Sequence, residues 1–408
     1  MKSFVYLLIL SFAVNLMGLD PYTMSLDDCK NYIKVNNLTW EAGITPYSYL
    51  PKEILKPMLT GFYLPIKTDA KINNKVINSK TDKPEYLDWT NKNGTNWMTS
   101  VKNQGSYSGS WAFATLGTWE AMININSNDP DIDWDGSEQY LISCYQTNLL
   151  DEMLAGSGPA RWIMVNGVPD EACYPYRASA GNCNDRCSDW RERLKFIKSV
   201  TDVCTNPDTE AIKAALRNGP VGSAMQVNLL MLRFYRGGVL GEETPSTDIG
   251  YPINHEVVIV GWDDARNGGS WKWKNCWGAA WGEGGYGWTQ FGTSQIGYYS
   301  WSCTAYSEGT GYEKESSART IPLQFNFTIT PNPVKTTAVV NVMMPERSKA
   351  NISLFDLLGK HVLTIDNSQL SRGINRIVLN AKDLKPGIYI ARINAGKYID
   401  SKAILINK

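Results

Sequence analysis

Along this 408-residue chain the arrangement of apolar and polar positions changes character several times. Phe4 to Met17 is an apolar run broken only by Ser11 and Asn15 and preceded by Lys2, the shape of a signal peptide. It is too short for a membrane span, which needs about 20 apolar residues, and no later run approaches that length. Residues 36–62 carry spaced apolar positions, among them Trp40, Tyr47, Leu50 and Leu55, too few for much of a core. The lysine- and asparagine-rich stretch Thr68–Lys83 suits an exposed, cleavable connection. From Pro84 to Ser307 tryptophan and glycine are dense, and residues 308–320 are polar with the glycine punctuation of a linker. Short β-branched runs follow at Phe325–Thr330, Ala338–Met343, Asn351–Phe355, Arg376–Leu379, Ile388–Ile393 and Lys402–Ile406. Turn residues separate them at Pro331–Pro333, Gly359, Gly373 and Pro386–Gly387. Strands at this spacing predict an antiparallel β-sandwich of about 85 residues, and its lone histidine, His361, reads as a surface residue.

The length suits two compact units plus leader and connecting segments. Forty basic and forty acidic residues cancel, and no basic run interleaves with aromatics, so nucleic acid is not an expected partner. Eight cysteines behind a secretory leader point to disulfides. Only two histidines exist and no cysteine pair has CxxC spacing, so no metal and no cofactor is expected.

The most informative stretch is Val101–Ala114, VKNQGSYSGSWAFA. Downstream, Asn254, His255, Glu256 and Val257 precede Trp271–Trp288, WKWKNCWGAAWGEGGYGW, with Gly219-Pro220-Val221 and Phe234–Val239 between the two blocks. These blocks resemble, in order and spacing, the nucleophile, histidine and asparagine-tryptophan segments of papain-family cysteine peptidases. The resemblance implies a papain-like α+β fold of two lobes, one helical and one β-barrel-like, followed here by the all-β immunoglobulin-like sandwich. It implies catalytic roles for Gln104 as oxyanion donor, His255 as general base and Asn275 as the group that orients the imidazole, with Trp277 shielding that bond. The nucleophile position, a cysteine in the family, holds Ser110. A serine cannot hold the resting thiolate–imidazolium pair, although histidine can still act on it as a general base, so weak hydrolysis is expected. A lone histidine in an apolar strand is ordinarily structural. His255 departs from that reading because it follows the Gln104–Ser110 block by about 145 residues, the separation the family shows.

The same resemblance implies a bridge between Cys144 and Cys183 and leaves the connectivity of Cys173, Cys187, Cys204, Cys276 and Cys303 open, with at least one unpaired or paired between chains. It places Trp111, Ala224, Glu256 and Trp277 at the substrate. Glu256 stands where the family has a small apolar residue. Either it lines the pocket for the second residue on the acyl side, where a basic substrate side chain would pair with it, or it turns to solvent or to an arginine. Residues 36–62 resemble the short propeptide of cathepsin B-like enzymes. The tail, through Pro331-Asn332-Pro333, Leu354–Gly359 and Leu384–Ile390, resembles the C-terminal sorting domain of type IX secretion cargo.

The expected organisation is a signal peptide (1–18), propeptide (19–82), peptidase domain (83–307), linker (308–320) and sorting domain (321–408). The expected function is a secreted zymogen of an endopeptidase, whose partners are a polypeptide substrate or peptide ligand, its own propeptide and the type IX machinery. It would reach the medium or the outer cell surface through the periplasm. The alternative is an inactive pseudopeptidase that binds peptides or protein partners in the retained cleft.

Overall fold

The computed structural model describes residues 20–60, 85–145, 156–241, 253–306, 325–330, 332–357, 359–371 and 373–407. The expected leader, the lysine-rich connection, the linker and Pro331 lie outside them. The chain divides into two compact units, Met1–Tyr312 and Glu313–Lys408.

The first unit is built on helix α3 (Ser110–Ser127), which follows α1 (Leu26–Val35) and α2 (Lys52–Thr60) in chain order. Every residue of α3 from Ser110 to Asn124 is buried, because the sequence is apolar or small on all faces and Glu120 is its one charge. Around it stand α4 (Glu138–Cys144) and α5 (Gly158–Asn166). Ser137 starts α4 by accepting the Tyr140 N–H, at 3.0 Å, while donating to Tyr174 O at 2.6 Å. These helices share a core containing Trp111, Leu116, Trp119, Tyr140, Leu141 and Ile163, which is the helical lobe.

The second lobe is an antiparallel sheet. In order it runs β3 (Ser199–Cys204), β9 (Tyr298–Thr304), β4 (Val221–Met225), β6 (His255–Asp263), β7 (Ser270–Lys274) and β8 (Tyr286–Gln290), with β2 (Tyr86–Asp88) also paired to β6. Strand β6 is buried from His255 to Trp262, so it reads as a continuous apolar run rather than an alternating one. Gly261 lets β2 approach it, since a Cβ there would sit 2.1 Å from Leu87 O. Trp262, Trp271, Trp273, Trp277 and Trp281 fill this lobe's core.

Into that core the N-terminal segment inserts Cys29, Trp40, Tyr47, Leu55, Met58 and Leu59. The expectation that residues 36–62 contribute little core is corrected by the structure: Trp40, Tyr47, Leu55, Met58 and Leu59 are buried in the core of the second lobe, because they pack against another part of the chain. Strand β1 (Trp40–Ala42) pairs antiparallel with β5 (Tyr235–Gly238), which follows α6 (Thr209–Leu216) and α7 (Leu229–Phe234).

The second unit is a sandwich. One sheet runs β10 (Asn326–Thr330), β11 (Thr337–Met344), β14 (Gly373–Asn380); the other runs β13 (His361–Leu370), β12 (Ser348–Phe355), β15 (Gly387–Ala395), β16 (Tyr398–Ile406). Phe327, Val340, Val342 and Leu379 meet Ile352, Leu354, Ile393 and Ile404 between them. The sequence pattern missed β13. It is an edge strand, HVLTIDNSQL, mostly exposed and rich in polar residues, so it lacks the apolar alternation that marks its neighbours. His361 is exposed, as expected.

Candidate active site

Two sequence blocks meet in the first unit. Gln104 N–H donates to Cys276 O at 2.8 Å, Gly278 N–H donates to Lys102 O at 3.0 Å, and Asn103 faces Trp277 across a β-bridge. Gly285, with φ of 91°, permits this approach, because a Cβ there would lie 2.5 Å from Val101 Cγ1. Its carbonyl accepts the Asn275 N–H at 2.9 Å.

Ser110 is the first residue of α3 and is capped by no side chain, so the positive end of the helix lies at its hydroxyl. Ser110 Oγ accepts the backbone N–H of Glu256 at 3.2 Å, which seats it beside the start of β6 and hence next to His255. Asn275 Oδ1 lies 2.9 Å from His255 Nε2 and also accepts the Cys276 N–H at 2.8 Å. The second bond turns the amide oxygen toward the ring, so Nε2 carries the proton and Nδ1 is left as the base. Among the described residues Nδ1 has no hydrogen-bond partner. The Trp277 ring covers the imidazole with centroids 4.7 Å apart, and Trp281 packs edge-on against Trp277 at 5.0 Å. Burial lowers the His255 imidazole to about 4, with the Asn275 bond opposing the shift, so the ring is neutral at physiological pH.

Gln104 is fully buried and held at both ends. Nε2 donates to Tyr107 O at 2.8 Å, Cys276 Sγ donates to Oε1 at 2.8 Å, and Tyr176 Oη donates to the Gln104 carbonyl at 2.7 Å. Trp111 is buried against Tyr145, and Ala224 stands directly across the β4–β6 pair from Glu256.

Glu256 is neither at the surface nor paired with an arginine among the described residues, so the second of its two sequence readings does not hold. It is 1% exposed; Oε1 accepts the Gly156 N–H at 2.6 Å, and among the described residues Oε2 has no partner. Desolvation raises its carboxyl to about 8, with the Gly156 bond pulling the other way.

Two disulfides are present, Cys144–Cys183 and Cys173–Cys187, and Cys29, Cys204, Cys276 and Cys303 are free. Among the described residues no group of three His, Cys, Asp or Glu is placed to hold a metal ion, and no helix is long and apolar enough to cross a membrane.

The sequence reading passed over a charged layer behind the site. Lys102 Nζ reaches Glu120 at 3.1 Å and Glu138 at 2.7 Å, and Lys274 Nζ donates to Thr99 O at 2.9 Å. A small cavity between α3 and strands β6 and β7 is lined by these four charged residues and Glu256. Burial alone would raise Glu120, but the Lys102 and Lys274 ammonium groups hold it below the ordinary carboxylate range. The available signal was Glu120 itself, a single charge in an otherwise uncharged helix.

The N-terminal segment reaches the same place. Tyr47 Oη lies 3.0 Å from both Asn103 Oδ1 and Trp277 O. Thr45 and Ser48 hydroxyls each donate to Arg233 O at 2.7 Å, and the buried Arg233 guanidinium returns bonds to Ser48 O and Pro21 O.

Comparison with known proteins bears on the family and the fold. Residues 83–306 match the model of the papain family of cysteine proteases, and residues 328–407 match that of the secretion system C-terminal sorting domain. Bovine pro-cathepsin H is 31% identical over 212 residues, covering 50% of this chain and 58% of that relative, less than two thirds of its length. A viral cathepsin of Choristoneura fumiferana nuclear polyhedrosis virus is 30% identical over 254 residues, covering 62% and 73%. Among solved structures, digestive procathepsin L2 from Tenebrio molitor superposes with a TM-score of 0.53 at 23% identity, covering 68% of this chain and 88% of that one, a likeness of fold. The cysteine protease allergen of ragweed pollen, in its proform, gives 0.51, covering 69% and 86%. With the family match spanning more than half of its length, the chain belongs to the papain family of cysteine proteases and carries a secretion sorting domain at its C-terminus.

Proposed function

We propose that the protein is an exported papain-type endopeptidase in which Ser110 replaces the nucleophilic cysteine and leaves turnover slow. The observation that carries this reading is the bare, neutral Nδ1 of His255, oriented through Asn275 and lying beside a helix-terminal Ser110. In acylation His255 Nδ1 takes the Ser110 proton as Oγ attacks the peptide carbonyl carbon. The oxyanion is met by the Ser110 N–H and the second Nε2 proton of Gln104. The imidazolium then protonates the departing amine, and water repeats the sequence on the acyl-serine. Trp111, Ala224, Glu256 and Trp277 form the binding surface.

A base whose conjugate acid sits near 4 is poorly matched to an alcohol, and this favours a second reading, a pseudopeptidase that holds peptides without cleaving them. Mass spectrometry after exposure to an activated peptide ester separates the two. The enzyme reading expects one acyl group on Ser110, lost in His255→Ala. Peptide binding with no adduct gives the pseudopeptidase.

Residues 19–82 act as the propeptide of this zymogen, behind a signal peptide at 1–18. Residues 308–320 link the peptidase domain to a sorting domain that begins near 321 and addresses the cargo to the type IX machinery from the periplasm. Supporting the propeptide role are the β1–β5 pairing and the Tyr47 contact to Trp277 O.

A further inference from the structure

We infer that Cys276 is a positioning residue whose thiol sets which end of the Gln104 amide faces the oxyanion. The inference rests on the peptidase reading for its kinetic consequence and on the contact itself for the rest.

A glutamine amide presents two donors at one end and an acceptor at the other, and the two ends have nearly the same shape. An oxyanion site works only with the donor end toward the substrate, since the reversed amide would set a carbonyl oxygen against a forming negative charge. Something must therefore break the near-symmetry. At Gln104 two contacts do so. Tyr107 O, 2.8 Å from Nε2, accepts one amide proton and leaves the second for the oxyanion. Cys276 Sγ, 2.8 Å from Oε1, can satisfy that atom only as a donor, because both would otherwise be acceptors facing each other. Burial raises the Cys276 thiol well above its ordinary range, with the Glu138 carboxylate adding to the shift. The sulfur thus keeps its proton, and it is 5% exposed, so it is held as a donor rather than as a nucleophile.

Residue 276 does this for both halves of the site. Its backbone N–H fixes Asn275 Oδ1 toward His255, its carbonyl accepts the Gln104 N–H, and its side chain fixes Gln104 Oε1. The orientation of the general base and that of the oxyanion donor are coupled through one residue, 172 positions from Gln104 in the chain.

Two measurements test this. In the Ser110→Cys background, Cys276→Ala should lower kcat about tenfold with KM within about twofold, part of the 10²–10³ that losing a whole oxyanion donor costs. Cys276→Ser, which restores a donor, should recover most of the loss. In Gln104→Ala the same Cys276→Ala change should cost nothing further, as expected of two residues acting through one group. An equal loss with and without Gln104 would overturn the inference, because a packing role does not need the amide. The second measurement uses the full chain with Ser110 in place and needs no activity. A Raman difference spectrum against Cys276→Ser isolates this thiol's S–H stretch, expected at the low frequency of a strong donor and moving up in Gln104→Ala. A stretch at the free-thiol frequency, unmoved by Gln104→Ala, would also overturn it. Absent activity in Ser110→Cys with the shifted Raman band would contradict the peptidase reading and leave the contact standing.

Discussion

Glu256 is the residue at which the chemistry of the cleft is most individual. A carboxyl buried beside Ser110 with one hydrogen bond among the described residues is stable only when neutral or when a cation reaches it. The unfolded chain ionises this group near 4.5 and the folded one near 8, so between those values only the unfolded state has released the proton. Its stabilising contribution is present below about 4.5 and is lost as pH rises to about 8. Glu256→Gln should therefore raise Tm over the parent at pH 8, by the equivalent of about 4 kcal/mol, and match it near pH 4.5. Thermal scans across that range check it. If a substrate side chain supplies the cation, peptides with arginine or lysine at the second acyl-side position should bind better than those with leucine, and Glu256→Ala should reverse the order. An apolar preference indifferent to that substitution would count against the assignment. Gln104, Ser110, His255 and Asn275 were legible in the sequence because each sits in a dense local motif. The Gly156 bond to Glu256 and the Cys276 bond to Gln104 were not, since they join positions 100 and 172 apart with no local pattern.

At the scale of elements, the docked N-terminal segment reaches the candidate site. Strand β1 adds to β5, and Tyr47 reaches the backbone of Trp277, the residue that covers His255. A synthetic peptide of residues 36–62 should inhibit the Ser110→Cys peptidase domain, and Tyr47→Phe in that peptide should weaken inhibition about fivefold, the worth of one net hydrogen bond of about 1 kcal/mol. An unchanged inhibition constant would place the binding energy elsewhere. The sequence marked this segment by its spaced aromatics but could not show where they go, because Trp40 and Leu55 find their core only in another part of the chain. Edge strand β13 was illegible for the opposite reason: it buries so little that no pattern is imposed on it.

For the whole molecule, a papain-family unit and a sorting-domain unit with separate cores share one chain. Residues after about 320 should fold alone and govern delivery. A chain ending there, expressed in its native host, should stay in the periplasm, and efficient release to the medium would refute the sorting role. The central claim concerns the nucleophile. Steady-state hydrolysis of a general peptide substrate by the purified mature domain, beside its Ser110→Cys variant, tests it most directly. With Gln104, His255 and Asn275 in place, the cysteine variant should show kcat/KM at least ~100-fold above the parent; a folded variant no faster than the parent would contradict the account.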